Sequence, residues 1–189
     1  KKFEIKAPFE GKIYLNDKLS IMNIKYPKIV KQRDNYIKRI QPFMRKNLVK
    51  VLTGHRRVGK SYILFQLMDL ICKDEVEANI IYINKEDISF DDIRTAKDLN
   101  DFILSKSVAD RMNYIFVDEI QEISDFRLAI RSLALDENND IYITGSNSEV
   151  FSTDLANILG GRYMEFIIYS LSYLEFLDFM DLPNNDEGL

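Results

Sequence analysis

Five short, almost entirely apolar runs constrain the fold more than any other feature of the sequence. They are rich in β-branched and aromatic residues, and helical patterns alternate with them. Strands that are apolar on both sides are typical of a parallel sheet covered by helices on both faces. The alternation therefore predicts a doubly wound α/β domain. The runs are Leu48–Leu52, Asn79–Ile83, Tyr114–Val117, Asp140–Thr144 and Tyr163–Ile168.

The spacing of apolar residues between the runs predicts the helices. A helix with a basic outer face is predicted over about 29–44, weakened at Pro42. A second helix is predicted over 62–71, directly after the first run. Ser124 is the predicted N-cap of a third helix, and the segment that starts at Ser172 opens a fourth.

Composition excludes several classes of protein. With 46% hydrophobic and 30% charged residues, the 189-residue chain is an ordinary soluble globular sequence. No apolar run approaches the roughly 18 residues of a membrane span, and the start lacks a signal-peptide core, so we expect a cytoplasmic protein without membrane contact. Cys72 is the single cysteine and His55 the single histidine. An internal disulfide framework and a Cys/His zinc site are therefore excluded.

The domain organisation follows from these patterns. We expect residues 1–30 to form a basic N-terminal arm and residues 31–180 to form the α/β domain. Residues 181–189 are rich in polar residues and read as a linker to a further C-terminal domain. The chain is thus interpreted as part of a longer protein.

Charge is distributed unevenly along the chain. Up to Lys60 there are 17 basic and four acidic residues, whereas the remainder has nine basic and 26 acidic ones. A basic front could contact a polyanion such as nucleic acid. No nucleic-acid-binding motif accompanies the charge, so attraction between the two parts of the chain, or a solvated surface, is the favoured explanation. Nucleic acid remains a candidate partner.

The first run leads directly into the sequence G-H-R-R-V-G-K-S, and a helical pattern follows. This is G-x-x-x-x-G-K-[ST] in its strand–loop–helix setting, in which backbone N–H groups form a nest for phosphate. Lys60 is predicted to reach the β- and γ-phosphates and the Ser61 hydroxyl to bind Mg²⁺. His55 is interpreted as a spacer in this loop. The predicted nucleotide contacts are Gly54, His55, Arg56, Arg57, Val58, Gly59, Lys60, Ser61 and Tyr62.

The third run ends in two carboxylates, Asp118 and Glu119. At the carboxyl edge of the sheet, beside the phosphate loop, Asp118 is predicted to hold Mg²⁺ directly or through water. Glu119 is predicted to polarise the water that attacks the γ-phosphate. A strand-end acidic pair without function is the alternative.

Residues 84–87 spell N-K-E-D, which matches the guanine-reading motif N-K-x-D of GTPases. In GTPases this motif follows the acidic strand, whereas here it precedes Asp118. We interpret it as a loop without nucleotide contacts. The expected base is therefore adenine, and ATP with Mg²⁺ the expected ligand.

These motifs together resemble those of prokaryotic AAA-type ATPases. The sequence is most similar to archaeal and bacterial ATP-binding proteins that join this domain to a C-terminal domain of unknown function. The resemblance extends over roughly Arg33 to Phe176, with Ser170 at a position where that family usually has Pro. The matching segments are 54–61 with the Arg56–Arg57 pair, 118–119, 143–148, 160–162 and 171–176.

The resemblance implies a P-loop NTPase fold of the additional-strand type: a parallel five-stranded sheet, sandwiched by helices, with the 141–144 strand between the acidic strand and the phosphate-loop strand. It implies a polar sensor of the γ-phosphate among Thr144, Ser146 and Asn147, and we favour Ser146 and Asn147. Arg162 is a candidate finger on phosphate, with a structural salt bridge as the alternative.

The same resemblance places the Arg33–Asp34 pair near the adenine, a surface helix being the alternative. It implies an ATP-hydrolysing motor or switch that acts on an attached domain or partner, and homo-oligomers in which a neighbour's arginine completes the site. Two other functions stay open: a P-loop small-molecule kinase and an ATP-binding module without turnover.

Overall fold

A computed structural model describes residues 30–75, 77–146 and 157–183. Five parallel strands form one sheet in the order β2–β3–β4–β1–β5. The acidic strand β3 is thus separated from the phosphate-loop strand β1 by β4, which confirms the predicted fold class and strand order. The strands are β1 (Val49–Thr53), β2 (Asn79–Asn84), β3 (Asn113–Asp118), β4 (Asn139–Gly145) and β5 (Tyr163–Ile167).

Helices cover both faces of the sheet. The first two helices pack on one face around Leu52, Tyr142 and Phe166, and the next two pack on the other around Val51, Val117 and Ile143. Both packing layers consist of fully buried aliphatic and aromatic side chains, as the two-sided apolar strands predict. The helices are α1 (Asp34–Ile40), α2 (Lys60–Asp74), α3 (Ala96–Lys106), α4 (Phe126–Leu133) and α5 (Tyr173–Phe179).

Two helix boundaries differ from the sequence prediction. The helix predicted from about residue 29 begins only at Asp34, because residues 30–33 are not helical and the Arg33 N–H bonds the Gln66 side chain at 2.8 Å. A 3₁₀ turn that contains Pro42 follows it. The predicted cap Ser124 is wrong: it forms a parallel bridge, and the helix starts after Asp125, which lies in the left-handed region.

Capping explains where two other helices begin. Ser172 and Glu175 form a capping box at the start of α5, which confirms Ser172 as the first residue of the last helical segment. Thr95 and Asp98 form the same arrangement at the start of α3, a helix that the apolar spacing did not predict. Within the described ranges, no helix combines the length and the apolar character that a membrane span requires.

A buried ion pair joins β1 to β4 near the amino edge of the sheet. The Lys50 ammonium donates to the Asp140 carboxylate, and neither side chain is exposed to solvent. Asp140 also accepts from the Tyr142 hydroxyl at 2.7 Å and from the Arg45 N–H at 2.9 Å. Burial lowers the pKa of Lys50, and the neighbouring Asp140 opposes this change. Several hydrogen-bond donors therefore stabilise the buried Asp140 carboxylate in addition to Lys50.

We expect Asp140→Ala to destabilise the domain by about 3–5 kcal/mol, because it leaves the Lys50 charge buried and unpaired. Urea unfolding followed by circular dichroism measures the change. The matched control is Asp101→Ala on α3, whose partner Lys97 is on the surface, and it should leave the unfolding midpoint nearly unchanged. Equal effects of the two substitutions would contradict the assignment.

Candidate active site

The phosphate loop takes its shape from two glycines with positive φ. Gly54 follows β1 with φ 142°, and a Cβ placed there would lie 2.2 Å from the Ile168 carbonyl oxygen. Gly59 has φ 96° and is the N-cap of α2, with no side chain bonded to the first turn. The first intrahelical bond is from the Ile63 N–H to the Gly59 carbonyl at 3.1 Å, so the N–H groups before it are available to a ligand, as in phosphate-binding loops.

Lys60 is folded back over this loop. Its side chain is only 3% exposed, and its Nζ donates to the carbonyl oxygens of Gly54 and His55, both at 3.1 Å. The Nζ also lies 3.5 Å from Glu119 Oε1. A buried ammonium held by carbonyl oxygens and one carboxylate can bind an anion, whose oxygens would take the place of the carbonyl acceptors.

Asp118 ends β3 beside the first turn of α2. Its carboxylate accepts from the Thr144 hydroxyl at 2.5 Å and from the Tyr82 hydroxyl at 3.3 Å. Burial raises the pKa of Asp118, while the nearby Ser61 and Thr144 hydroxyls oppose this rise. The structure thus brings together the two residues that the sequence predicts as metal ligands.

Glu119 follows in a left-handed conformation with φ 55°, which is costly for a residue with a side chain. Its N–H donates to the Thr144 hydroxyl at 3.0 Å. Its carboxylate accepts from Gln121 Nε2 at 2.5 Å in addition to facing Lys60. Backbone and side chain are both fixed, so Glu119 is held at the edge of the loop.

Lys60, Ser61 and Glu119 border one open cavity of about 440 Å³. Hydroxyl and carboxylate oxygens are the donors that Mg²⁺ prefers, and it typically takes one or two carboxylates together with phosphate oxygens. No cluster of three or more carboxylate, imidazole or thiol side chains is present in the described part of the chain. Ser61 and Asp118 therefore fit a cation that arrives with a nucleotide. The cavity is lined by Arg56, Arg57, Gly59, Lys60, Ser61, Tyr62, Glu86 and Glu119.

The remaining predicted contacts sit at the rim of the loop. Arg56 pairs with Glu86 at 3.2 Å, both side chains being more than half exposed. Arg57 has φ 67°, and Tyr62 is 45% exposed. His55 is exposed and contributes its carbonyl to Lys60.

Of the predicted sensors, Ser146 lies near the Glu119 carboxylate. Its hydroxyl is 3.4 Å from Gln121 Nε2, the same nitrogen that bonds Glu119. Thr144, the alternative sensor, bonds Asp118 and the Glu119 backbone and is fully buried. Asn147 lies outside the described residues.

Arg162 is not brought to the phosphate loop. Its carbonyl accepts from the Val49 N–H at 3.0 Å, at the first residue of β1. The loop follows the last residue of β1, and a strand of five residues spans roughly 16 Å. Within one chain, Arg162 therefore lies at the opposite edge of the sheet from Lys60.

Arg33 connects the loop to the last helix. Its guanidinium donates to the Val58 carbonyl at 2.9 Å, to the Tyr169 carbonyl at 3.1 Å and to the Glu175 carboxylate at 2.9 Å. It also lies 4.5 Å from the centre of the Tyr36 ring. The bond from Arg33 lowers the pKa of Glu175. Arg33 is 3% exposed, whereas Asp34 is exposed and is the first residue of α1.

Ion pairs account for much of the charge asymmetry. Within the described ranges, six basic residues of the first 60 pair with acidic residues that follow Lys60 in the sequence. This pairing supports the interpretation that the two oppositely charged parts attract each other. The pairs are Lys31–Asp181, Arg33–Glu175, Arg45–Glu75, Lys50–Asp140, Arg56–Glu86 and Lys60–Glu119.

The N-K-x-D match has contacts within its own turn, and the Lys85 N–H also donates to the Asp118 carbonyl at 3.2 Å. Asn84 Oδ1 accepts from the Glu86 N–H at 2.9 Å, and Asp87 accepts from the Ser89 N–H at 3.1 Å. Lys85 donates to the Phe90 carbonyl at 2.6 Å. These contacts close a turn after β2, in line with the interpretation of the motif as a loop.

Sequence reasoning missed Gln121, which bonds both Glu119 and Ser146. The signal that could have found it is a polar amide two residues after the acidic pair, between the apolar residues Ile120 and Ile123. Those two side chains are buried, and Gln121 lies between them with its amide on Glu119.

We expect Gly54→Ala to destabilise the domain by about 2–3 kcal/mol or more, because the new Cβ overlaps the Ile168 carbonyl. Thermal unfolding measures it. Gly160→Ala is the control: its φ of 57° is unfavourable for alanine, but nothing lies within 4 Å, so about 1 kcal/mol is expected. A smaller loss at Gly54 than at Gly160 would contradict the described loop.

The sequence matches the family model described as AAA domain over residues 46–177. An uncharacterized protein of Haemophilus influenzae is 36% identical over 147 residues, which cover 77% of this chain and 37% of that protein. The uncharacterized protein MJ1544 of Methanocaldococcus jannaschii is 37% identical over 134 residues, covering 70% and 29% respectively. The chain thus spans about a third of the length of these relatives.

Solved structures share the fold. In the extended Hsp104:casein complex of Saccharomyces cerevisiae, the match has a TM-score of 0.60 at 14% identity and covers 89% of this chain and 32% of that one. RIF2 of the same organism matches with a TM-score of 0.52 at 14% identity, covering 94% and 70%. At such identities the likeness concerns the fold alone.

Proposed function

This chain belongs to the AAA family as an AAA-type P-loop ATPase domain, and on that basis we propose that it binds ATP with Mg²⁺ and hydrolyses it. One observation carries the proposal. The Ser61 hydroxyl is close enough to Asp118 to oppose the rise in the pKa of that carboxyl group, and Ser61, Lys60 and Glu119 border the same cavity. A phosphate-binding amine, two oxygen ligands and a carboxylate base are the groups that this reaction requires.

In this proposal, each group has a distinct task. Lys60 exchanges its backbone carbonyl partners for phosphate oxygens, and Ser61 and Asp118 hold the cation. A bound Mg²⁺ would neutralise the charge that develops on the phosphate oxygens. Glu119 accepts a proton from the attacking water, and Ser146 and Asn147 are the proposed sensors of the γ-phosphate.

Hydrolysis is favoured over the two alternative functions by the position of Glu119. The Glu119 carboxylate accepts from Gln121 and lies 3.5 Å from the Lys60 amine, and the Glu119 N–H donates to Thr144. A carboxylate held in this way suits the activation of a water molecule. A module without turnover would have no need of a base held in a left-handed conformation. Label transfer from ATP to a small acceptor would instead indicate a kinase.

A motor or switch role is the finer part of the proposal. Arg33 links the Val58 carbonyl of the phosphate loop to Glu175 of α5, so a change in the loop can reach the helix that ends the domain. What the energy of hydrolysis drives would then lie in the attached domain or partner.

Arg162 has a proposed role only between copies. Because it lies at the opposite sheet edge from Lys60, contact with phosphate would require a neighbouring copy in a homo-oligomer. Contact of the basic N-terminal arm with nucleic acid stays a prediction, since most of that arm lies outside the described residues.

We expect Lys60→Ala to weaken ATP binding by several kcal/mol at most, because it removes charge-assisted hydrogen bonds worth about 1.5–3 kcal/mol each. Isothermal titration with ATP and Mg²⁺ measures the affinity. Lys73→Ala, an exposed lysine at the other end of α2, should leave the affinity unchanged. Intact binding in the Lys60 variant would refute the phosphate site.

We expect Glu119→Gln to lower ATP turnover by about 10²- to 10⁴-fold while ATP affinity stays within a few-fold, because the amide cannot accept the proton. Phosphate release gives the turnover, and titration gives the affinity. The control is Glu122→Gln, an exposed glutamate in the following turn, which should match the unmodified chain. Unchanged hydrolysis in the Glu119 variant would remove this residue from the mechanism.

A further inference from the structure

Gln121 is the unassigned polar residue in closest contact with the proposed base. We propose that it is a positioning residue, which holds the Glu119 carboxylate in its reactive orientation once Lys60 has turned to the phosphates. The inference rests on the proposed function and concerns the regulation of that same site.

The contacts of the Gln121 amide point to this task. Its Nε2 donates to Glu119 Oε2 at 2.5 Å and lies 3.4 Å from Ser146 Oγ. Only this orientation of the amide gives the carboxylate a donor, because the reverse would set two acceptors against each other. One amide group therefore connects the proposed base to the residue that follows β4.

The side chain is not placed there by local stability. Its Oε1 is buried and has no hydrogen-bond partner among the residues that the structure describes. An unsatisfied buried acceptor is unfavourable, and such groups are tolerated where function requires them. Ile120 and Ile123 on either side are buried and anchor the turn, so the amide has little freedom to leave.

The need for a positioning residue follows from the two partners of Glu119. Its carboxylate is shared between Lys60 at 3.5 Å and Gln121 at 2.5 Å. Lys60 is expected to move onto phosphate when ATP binds, which removes the cationic partner. Gln121 is neutral and carries no charge to attract phosphate, so it remains on Glu119 in the loaded site. Because the same amide also contacts Ser146, it connects the orientation of the Glu119 carboxylate to a proposed γ-phosphate sensor.

The kinetic test separates positioning from binding. Gln121→Ala should lower kcat by about 10- to 100-fold, as expected for a misplaced reactive group, with the dissociation constant for ATP within about twofold. Gln121→Glu has the same size but replaces the donor with an acceptor, so it should be at least as impaired. Glu122→Ala, the exposed neighbour in the same turn, is the control.

A second readout needs neither nucleotide nor turnover. In the nucleotide-free chain, the side-chain amide protons of Gln121 should exchange slowly in ¹⁵N NMR spectra. Their exchange should accelerate in Glu119→Ala and remain slow in Glu122→Ala. This measurement tests the hydrogen bond itself in folded protein.

The outcomes distinguish the two proposals. An unchanged kcat in both Gln121 variants, alongside an impaired Glu119→Gln, would overturn the positioning role and leave the ATPase proposal standing. If the exchange rate of the Gln121 amide protons is unchanged in Glu119→Ala, the positioning role is also overturned. Absence of hydrolysis by the unmodified chain would remove the ATPase proposal, and the positioning role with it. A reduced kcat with retained affinity and a Glu119-dependent amide signal supports both.

Discussion

The positions of the two acidic residues beside the phosphate loop depend on the hydroxyl of Thr144. It donates to the Asp118 carboxylate at 2.5 Å and accepts from the Glu119 N–H at 3.0 Å, so one buried atom fixes both acidic residues. It can do so because β4 lies between β3 and β1 in the sheet. The same order sets the end of the acidic strand one strand away from the phosphate loop, where Ser61 and Lys60 meet it. The order of the strands in the sheet thus determines which side chains meet in the site.

Lys50 and Arg33, two basic residues of the first 60, are built into the domain. Lys50 reaches across the sheet to Asp140 near its amino edge, while Arg33 joins the phosphate loop to Glu175 near its carboxyl edge. A buried charge pair adds little net stability compared with apolar packing, but loss of one partner is costly. The Arg33 contacts therefore specify how the last helix sits against the phosphate loop.

The parts of the structure that could be predicted are those encoded by residues adjacent in the sequence. The strands and the phosphate loop each consist of consecutive residues, and the acidic pair follows its strand directly. Helix α3 was not predicted, because only two of its side chains, Leu99 and Ile103, are buried. Its start depends on a polar capping box at Thr95. The contacts of Arg33 and Gln121 could not be predicted for another reason: their partners are distant in the chain or depend on the turn between them, and apolar spacing carries no information about either.

The most direct test of the account is a crystal structure of the chain with a non-hydrolysable ATP analogue and Mg²⁺. The account predicts the terminal phosphates within the loop of residues 54–61, the cation on Ser61 and Asp118, and Lys60 Nζ moved from the Gly54 and His55 carbonyls to a phosphate oxygen. Phosphates bound elsewhere on the domain, with Lys60 still on those carbonyls, would contradict it.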